Sequence, residues 1–262
     1  MSYNSGITPL VRHEKIGHVA IIWLDDERRR NALSTQLVRE IISALTESQE
    51  EGARAVVLAS KQKAFCAGAD VRDMLDNCWL DSTVKDHTII TPPDLFEAIE
   101  RDPRIVFAAV DGPALGGGVE LCLVCDLVVA GSAATFMFPE VGLGVLPNTA
   151  IARLPQMVGL RAAAELVFTR RRIDANEALR LGLVSTLAGE ETAVNRAVTM
   201  AEGICASTPP AVLTAAKRNF ARGADWTSIR RILADMDPAE WREGTSAFIG
   251  KRAADYDQFW NK

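Results

Sequence analysis

Long apolar runs and an excess of basic residues are two features that this sequence lacks. No apolar stretch reaches the roughly eighteen residues of a membrane-spanning helix, and Met1–Lys15 contains no apolar signal region. Lys and Arg total 29 against 34 Asp and Glu, for a net charge of -5. This balance disfavours nucleic acid, because phosphate backbones attract basic surfaces. We therefore expect a cytoplasmic protein that binds neither a membrane nor nucleic acid.

Histidine is scarce and cysteine follows no recognisable framework. His13, His18 and His87 all lie in the first third of the chain and outside the motifs described below, so no Ser-His-Asp triad can be defended. The 5 cysteines are an odd number in a chain too long to need disulfides, and we expect them to be reduced. Cys122 and Cys125 form a C-x-x-C pair inside an apolar run without a second pair, which favours packing thiols over a metal or redox site.

The chain has enough apolar residues for a large core and a pattern that changes along its length. With 262 residues and 48% hydrophobic content, it fits one substantial domain with an appendage. Strand-like runs at Val19–Leu24, Ala55–Ala59 and Ile105–Val110 alternate with helical patterns, which predicts layered α/β architecture. The pattern is mainly helical after residue 155. We predict a core over residues 1–190 and a helical region over residues 191–262.

Capping signals place individual helices. Ser34 can cap a helix whose apolar residues recur at helical spacing. Asp174, with Glu177 three residues later, can start another helix that Gly182 ends. Further helices are predicted over residues 160–168, 191–206, 209–222, 226–236 and 245–256.

Two motifs hold the candidate chemistry. Gly112-Pro-Ala-Leu-Gly-Gly-Gly-Val-Glu120 contains glycines whose backbone N–H groups can approach a ligand closely and stabilise negative charge on a carbonyl oxygen. Glu140 follows in Phe138-Pro-Glu-Val-Gly-Leu-Gly144, and the two glutamates could move protons. A tight turn followed by a first-turn glutamate is the purely structural alternative. As a set, the motifs predict proton chemistry beside a polarised carbonyl, with no metal and no covalent intermediate.

Together with Phe65-Cys-Ala-Gly-Ala-Asp-Val71, these motifs resemble the crotonase superfamily, and most closely its enoyl-CoA hydratases. The segments Arg28–Leu33, Ile173–Ala178 and Ala247–Arg252 resemble the family as well, so the resemblance covers nearly the whole chain in order. It implies an α/β fold made of a spiral of ββα units with a helical C-terminal trimerisation region. It also implies a homotrimer or hexamer that binds acyl-CoA, with no cofactor beyond the coenzyme A of the substrate.

The resemblance implies a role for each matched reactive group. The backbone N–H groups of Ala69 and Gly117, with Gly116 beside them, would form an oxyanion hole for the thioester carbonyl. Glu140 would donate a proton to Cα of the substrate. Glu120 would orient and activate the water that adds at Cβ.

The resemblance also implies contacts with coenzyme A. Ala67 and its neighbours Gly68 and Asp70 would lie against the adenine part, and Arg28 would lie near the phosphates. Phe248 and Lys251 would reach the coenzyme A of an adjacent subunit. The residues assigned to coenzyme A are therefore Arg28, Ala67, Gly68, Asp70, Phe248 and Lys251. The second basic cluster, Arg170–Arg172, is interpreted as surface.

The match departs from the hydratases after Glu140. The chain reads Leu146-Pro-Asn-Thr-Ala-Ile-Ala-Arg153 where hydratases have a glycine-rich turn that is one residue longer. Asn148 replaces a glycine whose N–H helps to hold the catalytic water in hydratases, although a backbone N–H survives this change. Apolar residues of the segment Met74–Phe96 are expected to line the acyl pocket, and they include Trp79, Leu80, Ile89 and Ile90.

Four functions therefore remain open. Hydration of a 2-enoyl-CoA leads, because both glutamates are present. A Δ3,Δ2-enoyl-CoA isomerase needs only one carboxylate and tolerates an altered water site. A hydrolase acting on a thioester or C–C bond of a specialised acyl-CoA is the third, and a non-catalytic acyl-CoA-binding subunit of the same fold is the fourth.

Overall fold

The computed structural model describes residues 9–77, 79, 89–207, 213–214, 216–217 and 238–255. Its strands are β1 (Val11–Ile16), β2 (Val19–Leu24), β3 (Ala55–Ser60), β4 (Ile105–Val110), β5 (Pro113–Leu115), β6 (Leu127–Ala130), β7 (Thr135–Met137), β8 (Ile173–Asp174) and β9 (Thr186–Leu187). Its helices are α1 (Thr35–Glu50), α2 (Val71–Asp76), α3 (Pro92–Arg101), α4 (Gly117–Val124), α5 (Asn148–Val158), α6 (Leu160–Thr169), α7 (Ala175–Leu181), α8 (Ala193–Ser207) and α9 (Pro238–Ile249). A 3-10 turn spans Glu140–Leu143.

The main sheet has the strand order β1-β2-β3-β4-β6-β9 and is parallel except for the antiparallel pair β1–β2. Both of its faces are covered, which explains why β3 and β4 are continuous apolar runs. On one face Val56 belongs to the same buried cluster as Leu37 of α1. On the other face Val57 and Phe107 pack with Ala197 of α8. The three predicted strands of this sheet are confirmed.

The second sheet brings the two predicted motifs together. Strands β5 and β7 are parallel, with Leu115 opposite Met137, and β8 is antiparallel to β7. The N–H of Gly116 donates to Met137 O at 2.8 Å. Because parallel strands end at the same edge of a sheet, the segments that follow β5 and β7 meet there. Those segments carry Glu120 and Glu140.

The predicted caps are confirmed. Ser34 accepts a hydrogen bond from the N–H of Leu37 at 3.2 Å, and Asp174 accepts one from the N–H of Glu177 at 2.8 Å. Gly182 ends α7 in the left-handed region. Helices α6 and α8 lie within two residues of their predicted bounds. The helices predicted over residues 209–222 and 226–236 lie almost entirely outside the described residues.

The last predicted helix was placed too late in the chain. The prediction was residues 245–256, whereas α9 spans Pro238–Ile249. The side chain of Trp241, only 1% exposed, packs with Met74 and Val145 and holds the helix against the core. The chain then leaves the helix at Lys251, which has φ 50. The division of the chain at residue 190 stays a prediction.

No helix within the described ranges is long and apolar enough to cross a bilayer.

Candidate active site

A cavity of about 880 Å³ lies where the carboxyl ends of β5 and β7 meet. All twelve residues that the resemblance assigns to a catalytic or coenzyme A-binding role line it. These are Arg28, Ala67, Gly68, Ala69, Asp70, Gly116, Gly117, Glu120, Glu140, Asn148, Phe248 and Lys251. The fold therefore brings together segments that are far apart in the sequence.

Two glycines allow the cavity wall to be made of backbone. Gly68 has φ 99 and Gly116 has φ 51, a region that residues with a Cβ rarely adopt. A Cβ on Gly117 would lie 3.1 Å from the backbone nitrogen of Ala69. The chain segments of Ala69 and Gly117 thus touch across the wall, as a two-donor oxyanion hole requires.

Among the described residues, the N–H groups of Ala69 and Gly117 have no hydrogen-bond acceptor at this contact. On either side, the N–H of Asp70 donates to Leu33 O at 3.3 Å and that of Gly116 donates to Met137 O. Gly117 is the first residue of α4, where a helix leaves its N–H groups without intrahelical acceptors. The positive end of the α4 dipole adds to their attraction for a negative oxygen.

Glu120 is buried in α4, with 6% of its surface exposed. Its Oε1 accepts a hydrogen bond of 3.0 Å from the N–H of Ala150, in the first turn of α5. Burial raises the pKa of Glu120 to about 7, although the N–H groups of Ala150 and Thr149 favour the anion. Near neutral pH this carboxyl group can therefore both accept and release a proton.

Glu140 begins the 3-10 turn and lies against Gly116, since a Cβ on Gly116 would collide with the Glu140 carboxylate. Glu140 is half-buried as a residue, but its Oε2 atom is enclosed and has no hydrogen-bond partner within the described chain. Burial, and then repulsion from Glu120, raise the pKa of Glu140 well above its ordinary range. Only the backbone N–H of Glu140 itself opposes this rise, whereas Glu120 has the N–H groups of two other residues, Ala150 and Thr149.

Asn148 is the first residue of α5 and only 6% exposed. It directly precedes the two N–H groups that hold Glu120, so the change from the hydratase sequence falls beside the glutamate pair. Its side-chain nitrogen is enclosed without a hydrogen-bond acceptor among the described residues. The helix nevertheless starts here without glycine, with the N–H of Ile151 donating to Pro147 O at 2.8 Å.

The basic cluster lies on the Ala67–Asp70 side of the cavity. Arg28, Arg29 and Arg30 all line the cavity, and the N–H of Ala67 donates to Arg30 O at 3.1 Å. Arg29 forms an ion pair of 2.8 Å with Asp70. Asp70 also caps α2. The Asp70 carboxylate thus already pairs with Arg29 and accepts the hydrogen bonds of the α2 cap, whereas Arg28 lines the cavity.

The C-terminal residues line the cavity of their own chain. Phe248 is 59% exposed and lies there with Ile249 and Lys251 at the end of α9. The resemblance implies that Phe248 and Lys251 reach an adjacent subunit. That contact, and assembly as a trimer or hexamer, stay predictions.

Part of the segment that is predicted to form the acyl pocket lines the cavity, while its contact with an acyl chain stays a prediction. Met74, Trp79 and Phe96 line the cavity. Ile89 and Ile90 do not, and Ile90 packs against the main core instead. Leu80 lies outside the described residues.

Arg170 is a cavity residue that the sequence prediction missed. The cluster Arg170–Arg172 was assigned to the surface, but Arg170 lines the cavity. The one signal available in the sequence was a helix end with arginine where glycine or asparagine is usual.

Three of the described cysteines are buried, as expected of packing thiols. Cys66, Cys122 and Cys125 are buried free thiols, and burial raises the pKa of each. Low thiolate content makes all three poor nucleophiles. Cys78 lies outside the described residues.

A parallel α/β core whose strand ends bring paired backbone donors and two glutamates to one cavity defines this protein as a member of the crotonase class. The chain belongs to the enoyl-CoA hydratase/isomerase family, whose model matches residues 14–259. The predicted crotonase-type fold and the resemblance to hydratases are confirmed, while a trimerisation role for the helical region stays a prediction.

Several known proteins resemble the chain over nearly its full length. A Rhizobium meliloti protein named "Probable enoyl-CoA hydratase" is 35% identical over 252 residues, covering 93% of this chain and 96% of that protein. The crystal structure of carnitinyl-CoA hydratase from Mycobacterium avium is 30% identical with TM-score 0.80, covering 96% of this chain and all of the other. The structure of enoyl-CoA hydratase from Bacillus anthracis is 31% identical with TM-score 0.73, covering 94% of this chain and 98% of the other. A methylmalonyl-CoA decarboxylase structure shares the fold at 24% identity and TM-score 0.80.

Proposed function

We propose that this protein is an enoyl-CoA hydratase, which adds water across the α,β double bond of a 2-enoyl-CoA thioester. The observation that carries the proposal is the pair Glu120 and Glu140, two buried carboxyl groups with unequal proton affinities beside the N–H groups of Ala69 and Gly117. Addition of water requires a base and an acid next to a polarised carbonyl. The cavity supplies one group for each requirement.

The thioester oxygen is held by the N–H groups of Ala69 and Gly117. As water attacks, electrons move onto this oxygen, and an enolate-like species develops. Each such donor in a preorganised site stabilises the transition state by about 3–4 kcal/mol. The donors are backbone atoms, so they need no side-chain rearrangement during the reaction.

The two glutamates divide the proton transfers. Ionised Glu120 takes a proton from water as the water oxygen bonds to Cβ, and the α,β π bond breaks. Protonated Glu140 gives its proton to Cα. After this step Glu120 is protonated and Glu140 is ionised, so proton exchange with solvent restores the starting forms. The backbone N–H of Asn148, at the start of α5, is available to the water beside Glu120.

The rest of the cavity binds the coenzyme A part of the substrate. Ala67 and Gly68 form the wall for adenine, Arg28 lies near the phosphates, and Phe248 and Lys251 contact coenzyme A from the C-terminal end. Arg28 rather than Arg29 is assigned to the phosphates because Arg29 is neutralised by Asp70. Coenzyme A is a part of the substrate, and no other cofactor takes part.

A Δ3,Δ2-enoyl-CoA isomerase is the second candidate, favoured by the buried Asn148 side chain in the turn where hydratases have glycine. Isomerisation moves one proton from Cα to Cγ and needs no water, so a single high-pKa carboxyl group such as Glu140 suffices. A product without added oxygen would identify this reaction.

The proposal is tested by following the ultraviolet absorbance of crotonyl-CoA and longer 2-enoyl-CoA thioesters. Wild type should remove the conjugated band and give a product heavier by one water. Glu120→Gln and Glu140→Gln should each abolish hydration, while Glu50→Gln, at an exposed position of α1, should leave hydration unchanged. Acyl-CoA binding without turnover, unchanged in both active-site variants, would refute catalysis and favour a binding subunit. Consumption of a 3-enoyl-CoA without oxygen incorporation would favour the isomerase.

A further inference from the structure

Arg170 ends α6 in a conformation that arginine rarely adopts. Its φ is 55 and its ψ is 22, in the left-handed region, and its N–H donates to Leu166 O at 3.1 Å. Helices usually end in this way with glycine or asparagine. The unfavourable backbone conformation indicates that the side chain itself has a role at this position.

The guanidinium of Arg170 lies directly on the backbone of Gly142. A Cβ on Gly142 would collide with Nη1 of Arg170 and would lie 2.9 Å from its Cζ. Gly142 belongs to the same 3-10 turn as Glu140. Because Gly142 has no side chain, the positively charged guanidinium of Arg170 can pack against the turn that carries Glu140.

This charge has no acidic partner within the described residues. The neighbouring Arg171 forms ion pairs of 2.6 Å with Glu165 and 2.7 Å with Glu177, but Arg170 forms no such pair. Arg170 instead lines the cavity. A guanidinium that lines a binding cavity without a counterion is well suited to pair with a carboxylate of the ligand.

Arg170 and the Arg28–Arg30 cluster are held by different walls of the cavity. The Arg28–Arg30 cluster is joined to the Ala67–Asp70 wall, on one side of the oxyanion donors. Arg170 lies on the turn after Glu140, where Leu143, Val145 and Leu146 add an apolar lining. A thioester held at the donors would direct its coenzyme A toward the first group and its acyl chain along the second.

We propose that the preferred acyl group ends in a carboxylate, which pairs with the guanidinium of Arg170. The substrate is then the coenzyme A monothioester of an unsaturated dicarboxylic acid. This inference rests on the proposed function for the reaction, but not for the binding of the acyl group. The apolar lining contacts the carbon chain, and Arg170 neutralises its end.

The test compares hex-2-enoyl-CoA with hex-2-enedioyl-CoA, in which a carboxylate replaces the terminal methyl group. Wild type should prefer the dicarboxylic thioester. Arg170→Gly, which suits the left-handed backbone and should fold well, should lower kcat/KM for that thioester by about 10- to 100-fold, the range for a charge-assisted hydrogen bond. It should lower kcat/KM for hex-2-enoyl-CoA much less, so that the ratio of the two values falls. Arg170→Lys should keep part of the preference, and Arg172→Ala, at an exposed position of the same run, should keep all of it.

An equal loss on both thioesters would overturn the inference, because Arg170 would then act on coenzyme A or on the turn that carries Glu140, and not on the end of the acyl chain. An unchanged ratio would overturn it as well. Calorimetric binding of hexanoyl-CoA and adipoyl-CoA, which lack the double bond, gives a readout without turnover. If wild type binds adipoyl-CoA more tightly and Arg170→Gly removes the difference, the inference holds even where no hydration occurs. Hydration of both thioesters without discrimination would support the proposed function and refute the role of Arg170.

Discussion

The Oε1 atom of Glu120 accepts a 3.0 Å hydrogen bond from the backbone N–H of Ala150, so a glutamate of α4 also caps α5. This contact holds the candidate base in one orientation and favours its ionised form. Glu140 has no such donor for Oε2 among the described residues. Two carboxyl groups that share a cavity thereby differ in proton affinity, as the proposed division into a base and an acid requires.

The first prediction concerns the pH dependence of activity. Hydration needs Glu120 ionised, and its pKa is raised to about 7, so kcat/KM should increase as pH rises through neutrality. It should fall at higher pH as Glu140 loses its proton. The two groups interact, so the limbs of the profile report apparent pKa values of the pair. A pH profile of kcat/KM with crotonyl-CoA checks this, and a flat profile across neutral pH would contradict it.

The second prediction concerns stability. The pKa of Glu120 rises from 4.5 to about 7 on folding, so the unfolded chain ionises first as pH rises. The stability that protonated Glu120 contributes is fully present below about pH 4.5. It decreases as pH rises above that value and is lost once pH has passed about 7. Glu120→Gln should therefore be more stable than wild type near pH 8, by up to about 3 kcal/mol, and equal to it near pH 4. Urea unfolding at several pH values measures the difference.

Glu50→Gln serves as the control for this measurement, because Glu50 is exposed. Its stability should follow that of wild type at every pH. A constant difference between Glu120→Gln and wild type would mean that proton binding by Glu120 does not change on folding.

The third prediction concerns Gly116, where both the backbone and the available space exclude a side chain. Gly116 has φ 51, and a Cβ there would collide with the Glu140 carboxylate. Gly116→Ala should displace Glu140 and the N–H of Gly117, and should lower kcat by about 100-fold or more. Steady-state kinetics with crotonyl-CoA measures it.

Gly203→Ala is the matched control, since a Cβ at Gly203 in α8 meets no atom within 4 Å. It should leave kcat unchanged and raise the free energy of unfolding by about 0.5–1 kcal/mol. Full activity in Gly116→Ala would show that the glycine turn is only structural.

The parts of the molecule that follow local rules were predictable from the sequence. Ser34 and Asp174 cap helices because their side chains reach N–H groups only three residues away. Strand β3 is recognisable because a parallel strand covered on both faces must be apolar throughout. The residues around Glu120 and Glu140 were recognised from motif spacing and family resemblance.

Features that depend on distant contacts were not predictable. Trp241 of α9 packs against Met74 and Val145, which are distant in the sequence. The place of Arg170 in the cavity depends on the missing side chain of Gly142. The sequence around Trp241 does not show its contact, and the unusual arginine at the end of α6 does not show that Gly142 lies beside it.

The fourth prediction concerns the side chain of Asn148. Its nitrogen is enclosed and has no acceptor in the part of the chain that the structure describes, which costs stability. Asn148→Ala should therefore raise the free energy of unfolding by about 1 kcal/mol. Hydration of crotonyl-CoA should persist, because the backbone N–H remains. Denaturant unfolding and steady-state kinetics test both parts. Loss of activity in a folded variant would show that the amide itself contacts the water or the substrate.

The fifth prediction concerns Lys217, which ties the chain after α8 to the core. Its Nζ is 2.8 Å from Asp126 Oδ2, and it donates to Ile99 O at 3.0 Å and to Arg104 O at 2.8 Å. Burial raises the pKa of Asp126, and Lys217 opposes that rise. Lys217→Met should cost about 3–5 kcal/mol, because it leaves a buried carboxylate without its counterion.

The loss in Lys217→Met should also depend on pH. Without the lysine, the pKa of folded Asp126 rises further, so the variant should lose more stability than wild type as pH increases above the unfolded value of 3.8. Adding Asp126→Asn should recover part of the loss, because the unpaired charge is removed. Urea unfolding of the single and double variants separates the two explanations. If Asp126→Asn gives no recovery, the loss comes from the two carbonyl contacts and not from the ion pair.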